Sequence, residues 1–130
     1  MVTQNEFNFL LVLLKYLKEF GKNHFNENKN VYELKKEELY IFLKRHLLTQ
    51  IEIKNNLLIN FDSLIISLNS TFYIFEETYN TLTIDKDKIC NVFRPLIKNR
   101  INNPIEIKNL NEFFNLFACV DDSEFTEILL

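Results

Sequence analysis

Apolar side chains recur at steps of three and four along most of this sequence, the period of a helix that buries one face. The clearest run comes first. Phe7, Leu10, Leu11, Leu14 and Leu17 form one stripe, with Thr3 placed to cap it and Glu6 at capping-box distance. The spacing predicts a helix over 4–20. Phe9, Val12, Leu13, Tyr16 and Phe20 fall on its other faces, so the helix is apolar nearly all round. Such a helix is either the centre of the molecule or part of a dimer interface. Gly21, the sole glycine, sits where a helix-ending residue is expected.

The polar, Asn-rich segment 22–30 reads as a loop. A second helix is predicted over 31–48, with Asn30 as cap and Glu33 as box partner. Its core stripe is Leu34, Leu39, Phe42, Leu43 and His46 or Leu47, while Lys35, Lys36, Glu37, Glu38 and Lys44 face solvent. From Ile51 the positions Leu58, Phe61, Ile65, Leu68, Phe72, Phe75 and Tyr79 keep helical steps without Gly or Pro. They predict one long or kinked helix over 51–79, with Asp62 or 69–71 as the break. The competing pattern is a hairpin near 51–61 turning at Asn55-Asn56, which its β-branched residues favour.

Residues 80–85 form a connection, briefly extended at 82–84. A fourth helix is expected over 86–100, with Asp85 as cap and a kink at Pro95. Asn103-Pro104-Ile105-Glu106 combines a cap, a proline at the first helical position and a box glutamate. It opens a helix to about 120 through Ile107, Leu110, Phe113, Phe114 and Phe117. A short acidic helix over 123–129 follows. The fold class read from these elements is all-α, a single compact bundle of five or six helices. The alternative is α+β with a small hairpin near 51–61.

A length of 130 residues fits one domain, 1–130, able to bury a core without staples. Thirteen phenylalanines against one glycine and two prolines leave little of the backbone chemistry that phosphate loops and nucleophile elbows need. Asn, Lys, Ile, Phe and Tyr share AT-rich codons, which indicates an AT-rich genome or a mobile gene. Cys90 and Cys119 form no C-x-x-C pattern and read as reduced thiols. The apolar run at 9–14 is far short of the roughly 20 residues of a spanning helix. No basic residue precedes it, as a secretory signal would require. The expectation is a cytoplasmic protein.

Charge is uneven. Residues 1–65 carry nine Lys/Arg and eight Asp/Glu (+1), and residues 66–130 carry six and ten (−4), for a total of −3. No basic residue follows Lys108. Glu112, Asp121, Asp122, Glu124 and Glu127 surround Phe125 and form the candidate partner-binding segment, where charge steers encounter and an apolar anchor supplies affinity. Arg94, Lys98 and Arg100, with Lys86 and Lys88, are the only basic cluster.

Candidate chemistry is sparse. His24 and His46 lack a second ligand at metal spacing, Glu76-Glu77 and Asp85/Asp87 read as a solvated face, and no Walker loop, dinucleotide fingerprint or HExxH occurs. No catalytic residue, metal or cofactor is assigned. The profile implies a non-enzymatic protein-binding module, first of all an immunity or antitoxin-type protein that neutralises a basic toxin such as a nuclease by occlusion. A phage or viral inhibitor of a host defence protein shares that profile. A nucleic-acid-associated regulator using Arg94, Lys98 and Arg100 is the alternative from another class, against which the acidic balance argues. A membrane partner is not expected, and a homodimer through the first helix is the remaining assembly.

Overall fold

A computed structural model describes residues 2–46, 50–89 and 91–92. Its elements, in chain order, are α1 (Gln4–His24), β1 (Phe25–Asn26), β2 (Val31–Lys35), α2 (Lys36–His46), α3 (Ile51–Ile59), α4 (Phe61–Phe72), β3 (Phe75–Glu77) and β4 (Thr81–Asp85). The strands form one antiparallel sheet in the order β1-β2-β4-β3. The fold class is therefore α+β, which corrects the all-α bundle. The hairpin anticipated near 51–61 is also corrected, because that segment is α3 and the start of α4. The sheet is built elsewhere.

Helix α1 is the central element. Phe7, Phe9 to Leu14, Tyr16 and Leu17 are all buried, so from Phe7 to Leu17 every face of the helix is covered within the chain, while Phe20 in its later turns is exposed. It packs on α2, α3, α4 and β2. Its start follows the sequence: Thr3 Oγ1 accepts from the Glu6 N–H at 3.1 Å and the Glu6 carboxylate reaches back to the Thr3 N–H. Its end does not. The helix runs past Gly21 to His24, and Gly21 has no positive φ. The glycine instead admits the Tyr32 ring against the helix, at a site where a Cβ would stand 3.0 Å from Tyr32 Cε1.

The segment 31–48 is not one helix. Val31–Lys35 is a strand because alternation wins there: Leu34 is buried between outward Glu33 and Lys35. Its main partner is β4, with Leu34 opposite Leu82 and Tyr32 opposite Ile84. The turn before it closes without glycine. Asn26 Oδ1 accepts from the N–H groups of Asn28 and Lys29, and Asn30 takes the left-handed conformation at φ 55°. The predicted stripe residues Leu39, Phe42 and Leu43 are buried on α2.

The long helix expected over 51–79 is three elements. It breaks at Asn60, two residues before the expected Asp62, where the Asn60 side chain donates to the Asn56 carbonyl. It ends at Phe72, with Tyr73 left-handed at φ 54° and its N–H on the Asn69 carbonyl. Asn69 Oδ1 then takes the Phe75 N–H at 3.0 Å and starts β3. The β3–β4 hairpin places Phe75 opposite Ile84 and Glu77 opposite Leu82. Leu34, Phe75, Leu82 and Ile84 form the buried face of the sheet, joined to the helical core. Rings lock the helices together: Phe61 lies edge-on to Phe9 at 5.6 Å and to Tyr40 at 5.3 Å.

Among the described residues, no helix is long and apolar enough to cross a membrane.

Candidate functional site

The partner-binding residues expected from sequence, Glu112, Asp121, Asp122, Glu124, Phe125 and Glu127, lie outside the described residues, as do Arg94, Lys98, Arg100 and both cysteines. The predicted helices beyond 92 lie outside them too. The other members of the expected basic cluster have local roles. Lys86 Nζ sits 5.2 Å from the centre of the Phe25 ring, and the Lys88 N–H is capped by Asp85 Oδ1 at 3.0 Å. Asp85 thus caps the helical turn that follows it, as its position suggested. Asp87 accepts from Asn30 Nδ2 at 3.1 Å.

His24 belongs to a small polar cluster beneath aromatic rings. The Tyr16 hydroxyl donates to Glu38 Oε2 at 3.3 Å and lies 3.5 Å from His24 Nε2. His24 Nε2 is 3.9 Å from the same carboxylate oxygen. The rings of Phe20 and Phe42 flank Tyr16 at 5.1 and 5.3 Å. Burial, then the Glu38 charge and the hydrogen bond to it, push the Tyr16 hydroxyl up to about 12. A phenol held protonated in this way donates a bond between two helices; it is the reverse of an activated base or nucleophile. Among the described residues, no group of three or more His, Cys, Asp or Glu converges to hold a metal.

The more suggestive region is the outer face of α3 and α4. A recess of about 630 Å³ opens between the start of α2 and the α3–α4 junction, lined by Glu37, Tyr40, Leu58, Ile59, Asp62 and Ser63 among others. Lys36 also borders it, but its ammonium is held by Glu77 at 2.6 Å. Glu37 and Asp62 enter no ion pair among the described residues. Ile59, on the rim, is 81% exposed. Ile66, one turn beyond Asp62 and Ser63, is 60% exposed, and Tyr73 past the helix end is 74% exposed.

The α4 part of this face carries Asp62 and no cation, whereas Lys54 lies on α3 and Lys36 borders the recess. Positions 55–85 contain no Lys, Arg or His but four carboxylates, Asp62, Glu76, Glu77 and Asp85. Sequence reasoning did not single the face out. The available signal was phase: Ile59 and Ile66 fall off the buried stripe of Phe61, Leu64, Ile65 and Leu68.

The chain matches no protein-family model, no curated protein and no solved structure.

Proposed function

We propose that this chain is a non-catalytic protein-binding module of the immunity or antitoxin type, which neutralises a basic toxin such as a nuclease by covering its working surface. The observation that carries the reading is the outer face of α4 with the adjoining end of α3, where Ile59, Ile66 and Tyr73 stand exposed and α4 carries Asp62 and no cation. Isolated exposed apolar residues are ordinary, but Ile59 stands on the rim of a recess that also holds Glu37 and Asp62, neither in an ion pair among the described residues, and this suits a partner of opposite charge. The segment carrying Glu112, Asp121, Asp122, Glu124, Phe125 and Glu127 adds charge of the same sign. Occlusion needs only a complementary surface, so it requires neither cofactor nor catalytic group.

The test is recovery of the partner. The tagged chain is co-expressed with the product of the gene beside its own, and the pair is purified at low salt. A basic partner that co-elutes at equal stoichiometry and loses its toxic activity in the complex is the expected result. Replacing Asp121, Asp122, Glu124 and Glu127 by Lys should dissociate the pair while leaving circular dichroism unchanged. A complex undiminished by that charge reversal removes the acidic segment from the interface. A partner whose activity survives in the complex overturns neutralisation.

A further inference from the structure

We infer that the recess beside α2 and the outer face of α4 form one docking surface for a cationic amphipathic segment of another protein, with lysine or arginine beside aliphatic side chains. This rests on the reading of the chain as a protein-binding module and assigns that module's surface and its partner's chemistry. Ile59 of α3 and Asp62 and Ser63 of α4 line the recess, Ile66 lies one turn further along α4, three and four residues beyond Ser63 and Asp62, and Tyr73 follows the end of that helix. Its charge is unanswered. Glu37 and Asp62 have no cationic partner among the described residues, whereas the neighbouring Lys36 is neutralised by Glu77.

Tyr73 adds a second kind of observation. A left-handed residue after a helix is ordinarily glycine or asparagine, because a Cβ is strained there. Here that position holds a tyrosine at φ 54° whose side chain is largely in solvent. Tyrosine is a favoured anchor at protein interfaces, where an apolar body and a polar tip are both used. A basic segment laid along α4 would bury Ile59, Ile66 and Tyr73 and set its cations against Glu37 and Asp62.

The full chain is titrated at low salt with a fluorescent amphipathic peptide of lysine and leucine, alongside an oligolysine of equal length. The amphipathic peptide should bind more tightly than oligolysine. Glu37→Lys with Asp62→Lys, and separately Ile59→Ser with Ile66→Ser, should each weaken it by about tenfold. The same charge change at Glu27 and Glu33, both exposed and bordering a different recess, should shift affinity by no more than about twofold. Thermal melts confirm that each variant is folded. Absence of peptide binding, equal binding of oligolysine, or equal loss from the Glu27 and Glu33 changes overturns the assignment. Loss of peptide binding on charge reversal at 121–127 but not at Glu37 and Asp62 overturns this surface while leaving the module reading in place. Conversely, a peptide bound at α4 with no neutralised toxin recovered defeats the immunity reading alone.

Discussion

The hydroxyl of Tyr16, in the middle of α1, donates a 3.3 Å hydrogen bond to Glu38 Oε2 in the first turn of α2. It ties together two helices that the sheet separates in sequence, since β1 and β2 lie between them. The bond is made at the margin of the core, with Phe20 and Phe42 shielding the phenol and Glu38 reaching in from the surface. A buried hydroxyl without a partner costs about 1–3 kcal/mol, and this part-buried one has the Glu38 carboxylate as acceptor with His24 Nε2 beside it.

The same contact sets an alkaline limit on stability. The Tyr16 hydroxyl ordinarily titrates at 10.0 and in the folded chain is pushed up to about 12. The folded state therefore holds its proton more tightly than the unfolded state, and stability from this group is complete below about pH 10 and is lost as pH rises towards 12. Urea midpoints between pH 9 and about pH 12 should fall more steeply for the native chain than for Tyr16→Phe, which has no phenol to ionise. Parallel curves for the two proteins would show that Tyr16 does not set the limit.

Gly21 yields a prediction opposite in sign to simple helix propensity. Alanine inside a helix is favoured over glycine by about 1 kcal/mol. A methyl group at position 21, however, would press on the Tyr32 ring at 3.0 Å. Gly21→Ala should therefore fail to stabilise the chain, and in a Tyr32→Ala background the same change should add about 0.5–1 kcal/mol. The double-mutant cycle reads this coupling directly. Additive effects would mean that the ring yields without cost.

Asn30 performs the work of a glycine in the β1–β2 turn. Its positive φ disfavours any residue with a Cβ and no local hydrogen bond, and its side chain also reaches Asp87. Asn30→Ala should destabilise by about 1–2 kcal/mol, whereas Asn30→Gly should be milder because it removes only the side-chain bond. Chemical denaturation of the two variants gives the order, and equal losses would exclude backbone strain as the cause.

What the sequence reveals about this fold divides along the range of the interactions. The Thr3–Glu6 box, the all-round burial of α1 from Phe7 to Leu17, and the inward Leu39, Phe42 and Leu43 were legible because each depends on residues within a turn or two. The strand at 31–35 was not, although Glu33, Leu34 and Lys35 alternate, since β4 supplies its main pairing some fifty residues later. The turn at 27–30 fell inside the loop expected over 22–30, but the end of α1 and strand β1 in the same segment did not show in its polar composition. The stripe from Phe61 to Phe72 was read in the right phase, but its extension to Tyr79 was not, because Tyr79 lies in the β3–β4 turn. The α3–α4 face became visible only when exposure separated Ile59 and Ile66 from the buried positions around them.

Tyr73 should separate stability from binding. Its backbone is left-handed and most of its side chain is in solvent, so Tyr73→Gly removes strain at little loss of packing. The expected gain is about 0.5–1 kcal/mol, less than the full left-handed penalty because glycine also enlarges the entropy of the unfolded chain. If Tyr73 is an anchor on the docking surface, the same substitution weakens binding of the lysine–leucine peptide. Tyr73→Phe should leave stability near its native value and keep most of the affinity, since the ring remains. Urea denaturation and peptide titration of the two variants give four values whose pattern is diagnostic. A glycine variant that is both more stable and equally able to bind would leave the strain at Tyr73 without a functional reason.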